Sequence, residues 1–193
     1  MHNNAPLYET QFLTQAYELA KELGALLKTR HLMLTLAESC TGGMVAETMT
    51  SVAGSSAWFD CGFVTYSNQS KINLLGVPSK TLQDHGAVSE ETAKEMAFGC
   101  LSRVMPNNKH DHNSNNSRTH IAGSITGIAG PDGGTAEKPV GTVCFAWAGL
   151  DASTINQTLA QTKVFSGNRQ QIRHQATIFM LEVLIKKLKP ATI

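Results

Sequence analysis

Early in the chain, Phe12, Ala16, Leu19, Ala20, Leu23, Leu26 and Leu27 recur at helical spacing, which predicts an amphipathic helix over 8–29. The period then changes. Leu32 to Leu36 is a short apolar run of the kind that forms a buried strand, and Met44 to Val52 is helix-like up to the turn cluster Ala53-Gly54-Ser55-Ser56. Trp58 to Tyr66 carries strand-forming residues, with Gly62 as a bulge position. Asn68 is placed to cap a short helix from about Ser70 to Leu75 that stops at Gly76. Ser89 followed by Glu90 and Glu91 opens another helix, with Ala93, Met96, Ala97, Cys100, Leu101 and Val104 on its apolar stripe. Pro106 to His120 is polar, rich in Asn and His, and reads as a surface loop.

Beyond that loop, Ile121 to Ile128 is a short apolar segment that feeds an evident turn, Ala129-Gly130-Pro131-Asp132-Gly133-Gly134. Val140 to Trp147 and Thr158 to Phe165 read as strands. A last helix from about Asn168 turns Ile172, Ala176, Phe179, Met180, Val183 and Leu184 inward, with Lys186, Lys187 and Lys189 at its negative end. Helices separate the strands in the first half, and turns separate them in the second. That order predicts one α/β domain over 1–193, with a mixed sheet and helices on both faces.

Composition narrows the functional classes. A chain of 193 residues with 41% hydrophobic and 16% charged residues is long enough for one sizeable core. A formal net charge of +1 gives no footprint for nucleic acid or an anionic membrane. No apolar run nears the ~18 residues that span a bilayer, and Met1 to Pro6 does not begin a leader, so a cytoplasmic protein is expected. Cys40, Cys61, Cys100 and Cys144 form no CxxC pair and are expected as small core residues rather than disulfides or zinc ligands.

The chemistry centres on Ala37-Glu38-Ser39-Cys40-Thr41-Gly42-Gly43, between the first strand and the helix that follows it. A strand, a glycine turn and a helix start leave N–H groups free to hold an anion or a developing oxyanion. The plainer reading is a Ser/Thr cap beside a glycine turn. Neither GxGxxG nor GxxxxGK[ST] occurs, and no lysine follows Gly42-Gly43, which disfavours kinase or ATPase chemistry.

Ser39 as a nucleophile needs a base. His85 beside Asp84 is one candidate, although adjacent residues in one loop rarely orient each other as a triad does. Tyr66 and Lys71 form a better pair, because a lysine becomes a base once burial lowers its pKa. A solvated lysine and an interfacial tyrosine remain the alternative. Arg169 and Arg173, one helical turn apart, are candidate clamps for a phosphate or carboxylate, and Lys138 is a third cation on the glycine-rich loop. His110, His112 and His120 are better explained as solvated loop histidines than as metal ligands.

Several stretches together carry a family resemblance. They are Ala37 to Gly43, Gly54-Ser55-Ser56-Ala57-Trp58-Phe59, Gly62 to Asn68 with Lys71, Gly86-Ala87-Val88-Ser89-Glu90, Gly127 to Gly134, and Lys138-Pro139-Val140-Gly141-Thr142-Val143. In this order, over about residues 10–187, the chain resembles the CinA C-terminal domain family, and within it the stand-alone bacterial amidases. The resemblance implies a three-layer α/β/α domain that hydrolyses the carboxamide of nicotinamide mononucleotide to nicotinate mononucleotide and ammonia, within pyridine nucleotide recycling. It also implies Ser39 as nucleophile with Tyr66 and Lys71 as its base, no metal or other cofactor, and a homodimer.

Within that frame, the N–H groups near Thr41, Gly42 and Gly43 are expected to receive the oxyanion. Thr126, Gly127, Gly130 and the loop to Gly134, with Arg169 and Arg173, are expected to hold the substrate and its ribose phosphate. The polar loop is longer than is usual in the family. The chain shows no counterpart of the molybdopterin-binding-like domain of fused relatives, so activity is expected in this domain alone. Two other readings stand beside this one: a non-catalytic nucleotide-binding module linked to competence or damage responses, and an amidase or esterase for another small substrate.

Overall fold

A computed structural model describes residues 5–104, 119–149 and 158–189. Its strands are β1 (Leu32–Glu38), β2 (Phe59–Val64), β3 (Thr119–Gly127), β4 (Thr142–Ala148) and β5 (Leu159–Val164). They form one sheet in the order β2-β1-β3-β4-β5, in which β1 runs parallel to β2 and β3 while β4 and β5 are antiparallel to their neighbours. The helices are α1 (Ala5–Thr29), α2 (Met44–Thr50), α3 (Asn68–Leu75), α4 (Ser79–His85), α5 (Glu90–Val104) and α6 (Arg169–Leu188). α1, α2 and α6 cover one face of the sheet, and α3, α4 and α5 lie on the other. This is the expected three-layer α/β/α arrangement with a mixed sheet.

Side-chain size along the strands sets the two layers apart. Leu34, Leu36, Ile121, Ile125, Val143, Phe145 and Trp147 pack toward α1 and α6. On the opposite face stand small residues, Ala37, Ala122, Cys144, Ala146 and Ala148, which let Ala93, Ala97 and Cys100 of α5 come close. The Ser124 hydroxyl donates to the Ala93 carbonyl at 2.6 Å, a contact that only a helix lying near the sheet can make. α3 is docked on α5 just as closely. A Cβ built on Gly99 would lie 1.9 Å from the Leu75 carbonyl oxygen. Gly99→Ala must therefore push α3 outward at an overpacking cost of about 1–3 kcal/mol. Thermal denaturation should show a fall in Tm of several degrees, with loss of whatever activity depends on α3; an unchanged Tm would contradict the packing.

Local details differ from the sequence expectations at four places. The strand register jumps from Leu34↔Phe59 to Thr35↔Cys61, so the extra residue in β2 is Asp60 and not Gly62. Gly62 is small for another reason, because a Cβ there would stand 3.0 Å from the Ala46 Cβ of α2. α3 is capped by Ser67, whose Oγ accepts from the Ser70 N–H at 3.0 Å while the Ser67 N–H donates to Ser70 Oγ at 3.1 Å, and Asn68 is already helical. α4 has no fully buried residue and hence no apolar stripe to betray it. Thr119 and His120 belong to β3, and His120 Nε2 lies 3.3 Å from the Asp60 carboxylate rather than in a solvated loop. His110, His112 and the rest of the polar loop lie outside the described residues.

Candidate active site

The carboxyl ends of β1, β2 and β3 meet at Ser39. Its N–H donates to the Ile125 carbonyl of β3 at 2.9 Å, and the Thr65 N–H donates to the Glu38 carbonyl at 2.8 Å. The parallel ladders thus continue past their last residues and fix Ser39 at the end of the sheet. The chain then turns sharply, with Gly42 at φ 64° and Gly43 at φ 95°, conformations that a side chain would strain. The turn leads directly into α2.

Lys71 reaches Ser39 from α3. It is 1% exposed, and its Nζ lies 3.1 Å from Ser39 Oγ, 2.8 Å from the Thr65 carbonyl and 3.4 Å from the Tyr66 carbonyl. Among the described residues no carboxylate pairs with it. Burial pushes its pKa below the ordinary lysine value, because the charged amine has lost its water. A neutral amine suits these partners: two N–H groups serve the two carbonyls, and the lone pair faces the serine hydroxyl. The structure therefore brings together Ser39 and Lys71, the nucleophile and the base candidate of the sequence analysis. Lys71 is a buried group, not a solvated one.

Tyr66 is placed differently from the expectation of a proton shared with Lys71. Its carbonyl, not its hydroxyl, faces the amine. The side chain is 59% exposed, and Arg169 Nη2 donates to its hydroxyl at 2.7 Å. Arg169 Nη1 also donates to the Gly130 carbonyl at 2.7 Å, so this one guanidinium links the end of β2 to the glycine-rich loop. Arg173 Nη2 donates to the Thr41 carbonyl at 2.7 Å and pins the turn after Ser39. Each arginine keeps further N–H donors beyond these contacts.

Other expected binding groups are already occupied. The Gly43 N–H donates to Glu38 Oε2 at 2.9 Å and the Gly42 N–H to the Ser39 carbonyl at 3.1 Å, so neither is free to hold an oxyanion. The Thr41 N–H has no acceptor among the described residues. The Thr126 hydroxyl, 1% exposed, donates to the Ala87 carbonyl at 2.7 Å and is committed to the α5 side of the sheet. Gly127 and Gly130 serve close packing: a Cβ on Gly127 would lie 2.8 Å from the Thr142 carbonyl oxygen, and one on Gly130 2.5 Å from Val140 Cγ1. Lys138 donates to the carbonyls of His85 at 3.0 Å and Val88 at 2.7 Å, which makes it a strut and not a phosphate ligand. His85 sits at the end of α4 with Nδ1 3.9 Å from a Glu91 carboxylate oxygen.

Cys40 is 5% exposed within the core, and burial pushes its thiol up to about 12, too high for a reactive thiolate. Two residues without an assigned role prove central to the geometry. Glu38 caps α2 from the strand, and Thr65 supplies the carbonyl nearest the lysine amine. A glutamate ending a largely apolar strand was the available signal for the first. A backbone acceptor leaves no such trace in sequence. Clefts of about 590 and 470 Å³ border α1 and α6, and neither is lined by Ser39, Tyr66 or Lys71. Among the described residues no cluster of His, Cys, Asp and Glu of metal-binding size occurs, and no helix is long and apolar enough to cross a membrane.

The family model described as the CinA C-terminal domain matches residues 16–188. The chain belongs to the CinA C-terminal domain family. It is 47% identical over 171 residues to a protein named nicotinamide-nucleotide amidohydrolase PncC from Enterobacter agglomerans, a match covering 89% of this chain and 94% of that one. The like-named protein of Escherichia coli K12 is 46% identical, over 89% of this chain and 93% of its own. Among solved structures, a competence/damage inducible protein from Agrobacterium tumefaciens superposes with a TM-score of 0.77 at 39% identity, covering 91% of this chain and 96% of that chain.

Proposed function

We propose that this protein is a nicotinamide-nucleotide amidohydrolase that converts nicotinamide mononucleotide to nicotinate mononucleotide and ammonia, with Ser39 as nucleophile and Lys71 as base. The observation that carries the mechanism is the buried 3.1 Å approach of Lys71 Nζ to Ser39 Oγ, with no carboxylate among the described residues to hold the amine charged. The names of the full-length relatives support the substrate.

Lys71 takes the hydroxyl proton as Oγ bonds to the carboxamide carbon. The carbonyl oxygen becomes an oxyanion and accepts from the Thr41 N–H, a donor left unused in the turn. Collapse breaks the C–N bond, and Lys71 returns its proton to the departing nitrogen, which leaves as ammonia. The ester on Ser39 is then hydrolysed by a water that Lys71 deprotonates, which regenerates the serine. Tyr66 and Arg169 stand at the mouth of the site. The exposed phenol offers a face to the pyridinium ring, and the spare donors of Arg169 and Arg173 suit the ribose phosphate.

Arg169→Ala should therefore raise KM for the nucleotide about tenfold or more, since a charge-assisted hydrogen bond is worth about 1.5–3 kcal/mol, while kcat changes less. Steady-state kinetics decide this, and an unchanged KM would remove Arg169 from the substrate site.

Incubation of the purified protein with nicotinamide mononucleotide, with product separation and an ammonia assay, tests the reaction. Equimolar nicotinate mononucleotide and ammonia are expected, with nicotinamide riboside a much poorer substrate. Binding of the nucleotide without turnover would favour a binding module. Turnover only of other amides or esters would overturn the substrate.

A further inference from the structure

Glu38 is buried at 1% exposure beside the nucleophile, yet no step above uses it. Among the described residues it has no cationic partner. Its carboxylate instead reaches from the end of β1 across to α2, where Oε2 accepts from the N–H groups of Gly43 at 2.9 Å and Val45 at 3.2 Å, and Oε1 from that of Ala46 at 2.8 Å. The residue at the usual capping position, Gly43, has no side chain to do this. Capping alone does not call for a buried glutamate, because a serine or aspartate in the turn would satisfy the same N–H groups at the surface.

The main chain of Glu38 reveals a second connection. Its carbonyl accepts from the Thr65 N–H at 2.8 Å, and the Thr65 carbonyl in turn lies 2.8 Å from Lys71 Nζ. Ser39 is its covalent neighbour. One residue therefore joins the segment bearing the nucleophile, the segment that holds the base, and the first turn of the helix behind both.

We propose that Glu38 is the positioning residue of the Ser39–Lys71 pair. Its carboxylate fixes the 39–43 turn against α2, and its carbonyl fixes the Thr65 acceptor that aims the lysine. It also closes the first turn of α2 to any other anion, so the negative charge that develops on the substrate is directed to the donors earlier in the turn. This inference rests on the serine–lysine reading of the site.

Glu38→Gln is the test. The amide nitrogen cannot accept from the N–H groups that face the second oxygen, so at least one hydrogen bond is replaced by opposed donors, and the turn shifts. A displacement of about 1 Å at reacting atoms can cost about 100-fold, and a fall of that size in kcat is expected while KM for nicotinamide mononucleotide stays within about threefold. The acid limb of the pH–kcat/KM profile should move to lower pH, because the uncompensated helix N-terminus disfavours the charged form of Lys71. A purely structural cap would leave kcat per folded molecule unchanged, and that result overturns the proposal.

Labelling of Ser39 by a fluorophosphonate, followed by mass spectrometry, separates this question from the identity of the substrate. A parent protein that labels at Ser39 but releases no ammonia, with labelling at least about tenfold slower in Glu38→Gln, retires the substrate and keeps the positioning role, as a misplaced nucleophile requires. A parent that neither turns over nor labels overturns both. If Glu38→Gln does not fold, Glu38→Asp provides the comparison of kcat and labelling rate, since its shorter side chain keeps the charge but cannot reach all three N–H groups.

Discussion

Ser39→Ala should abolish ammonia release, with a fall in kcat of about 10⁴-fold or more, the range seen when a serine nucleophile is removed from a hydrolase. The protein should still fold and still bind the nucleotide. Ser39 is 7% exposed, and its hydroxyl contributes no hydrogen bond that the fold needs beyond the one to Lys71. Its backbone N–H, which anchors the sheet end at the Ile125 carbonyl, is untouched by the substitution. Unchanged binding with lost turnover would place the defect in the chemical step. Cys40 cannot substitute for the missing nucleophile, because burial leaves its thiol protonated.

Lys71→Met should be as damaging to kcat, about 10⁴-fold, since it removes the base and leaves the serine hydroxyl with an ordinary pKa. Lys71→Arg should not restore activity, because a guanidinium does not give up its proton in a protein. In the parent, activity should fall as pH drops through the lowered Lys71 pKa, where the amine becomes charged. Stability follows the same group. Between that lowered value and the ordinary lysine value of 10.5, the folded protein binds fewer protons than the unfolded chain, so this group's contribution to stability rises with pH. Lys71→Met lacks this dependence. Its Tm advantage over the parent should be largest below the folded pKa and shrink as pH rises toward 10.5. Thermal melts of both proteins across this range provide the check, and a constant difference would show that the buried amine is not desolvated.

The sequence made the layers readable because the strands and long helices carry clear periods. The stripe Ile172, Ala176 and Met180 of α6 is buried as its spacing predicts, and the Asn168 cap starts the helix where polarity changes. α4 was not legible, since seven residues with no buried face leave no pattern. The site was legible by residue type and only partly by role. Ser39 and Lys71 lie far apart in sequence, and their contact depends on Gly99 letting α3 approach α5. Gly42 and Gly43 offered N–H groups on paper. In the fold the Gly42 N–H turns back to the Ser39 carbonyl, and the buried Glu38 carboxylate, five residues before Gly43, reaches across to occupy the Gly43 N–H and the first turn of α2, a contact with no local signature. Arg169 and Tyr66 were singled out separately, yet only the folded chain shows that they touch.

The serine–lysine mechanism is tested most sharply by comparing ammonia release from nicotinamide mononucleotide by the parent, Ser39→Ala and Lys71→Met in one assay with a strong chelator present. Full parental release is expected despite the chelator, and none above background in either variant. Release that persists in Ser39→Ala would contradict the serine mechanism while sparing the substrate.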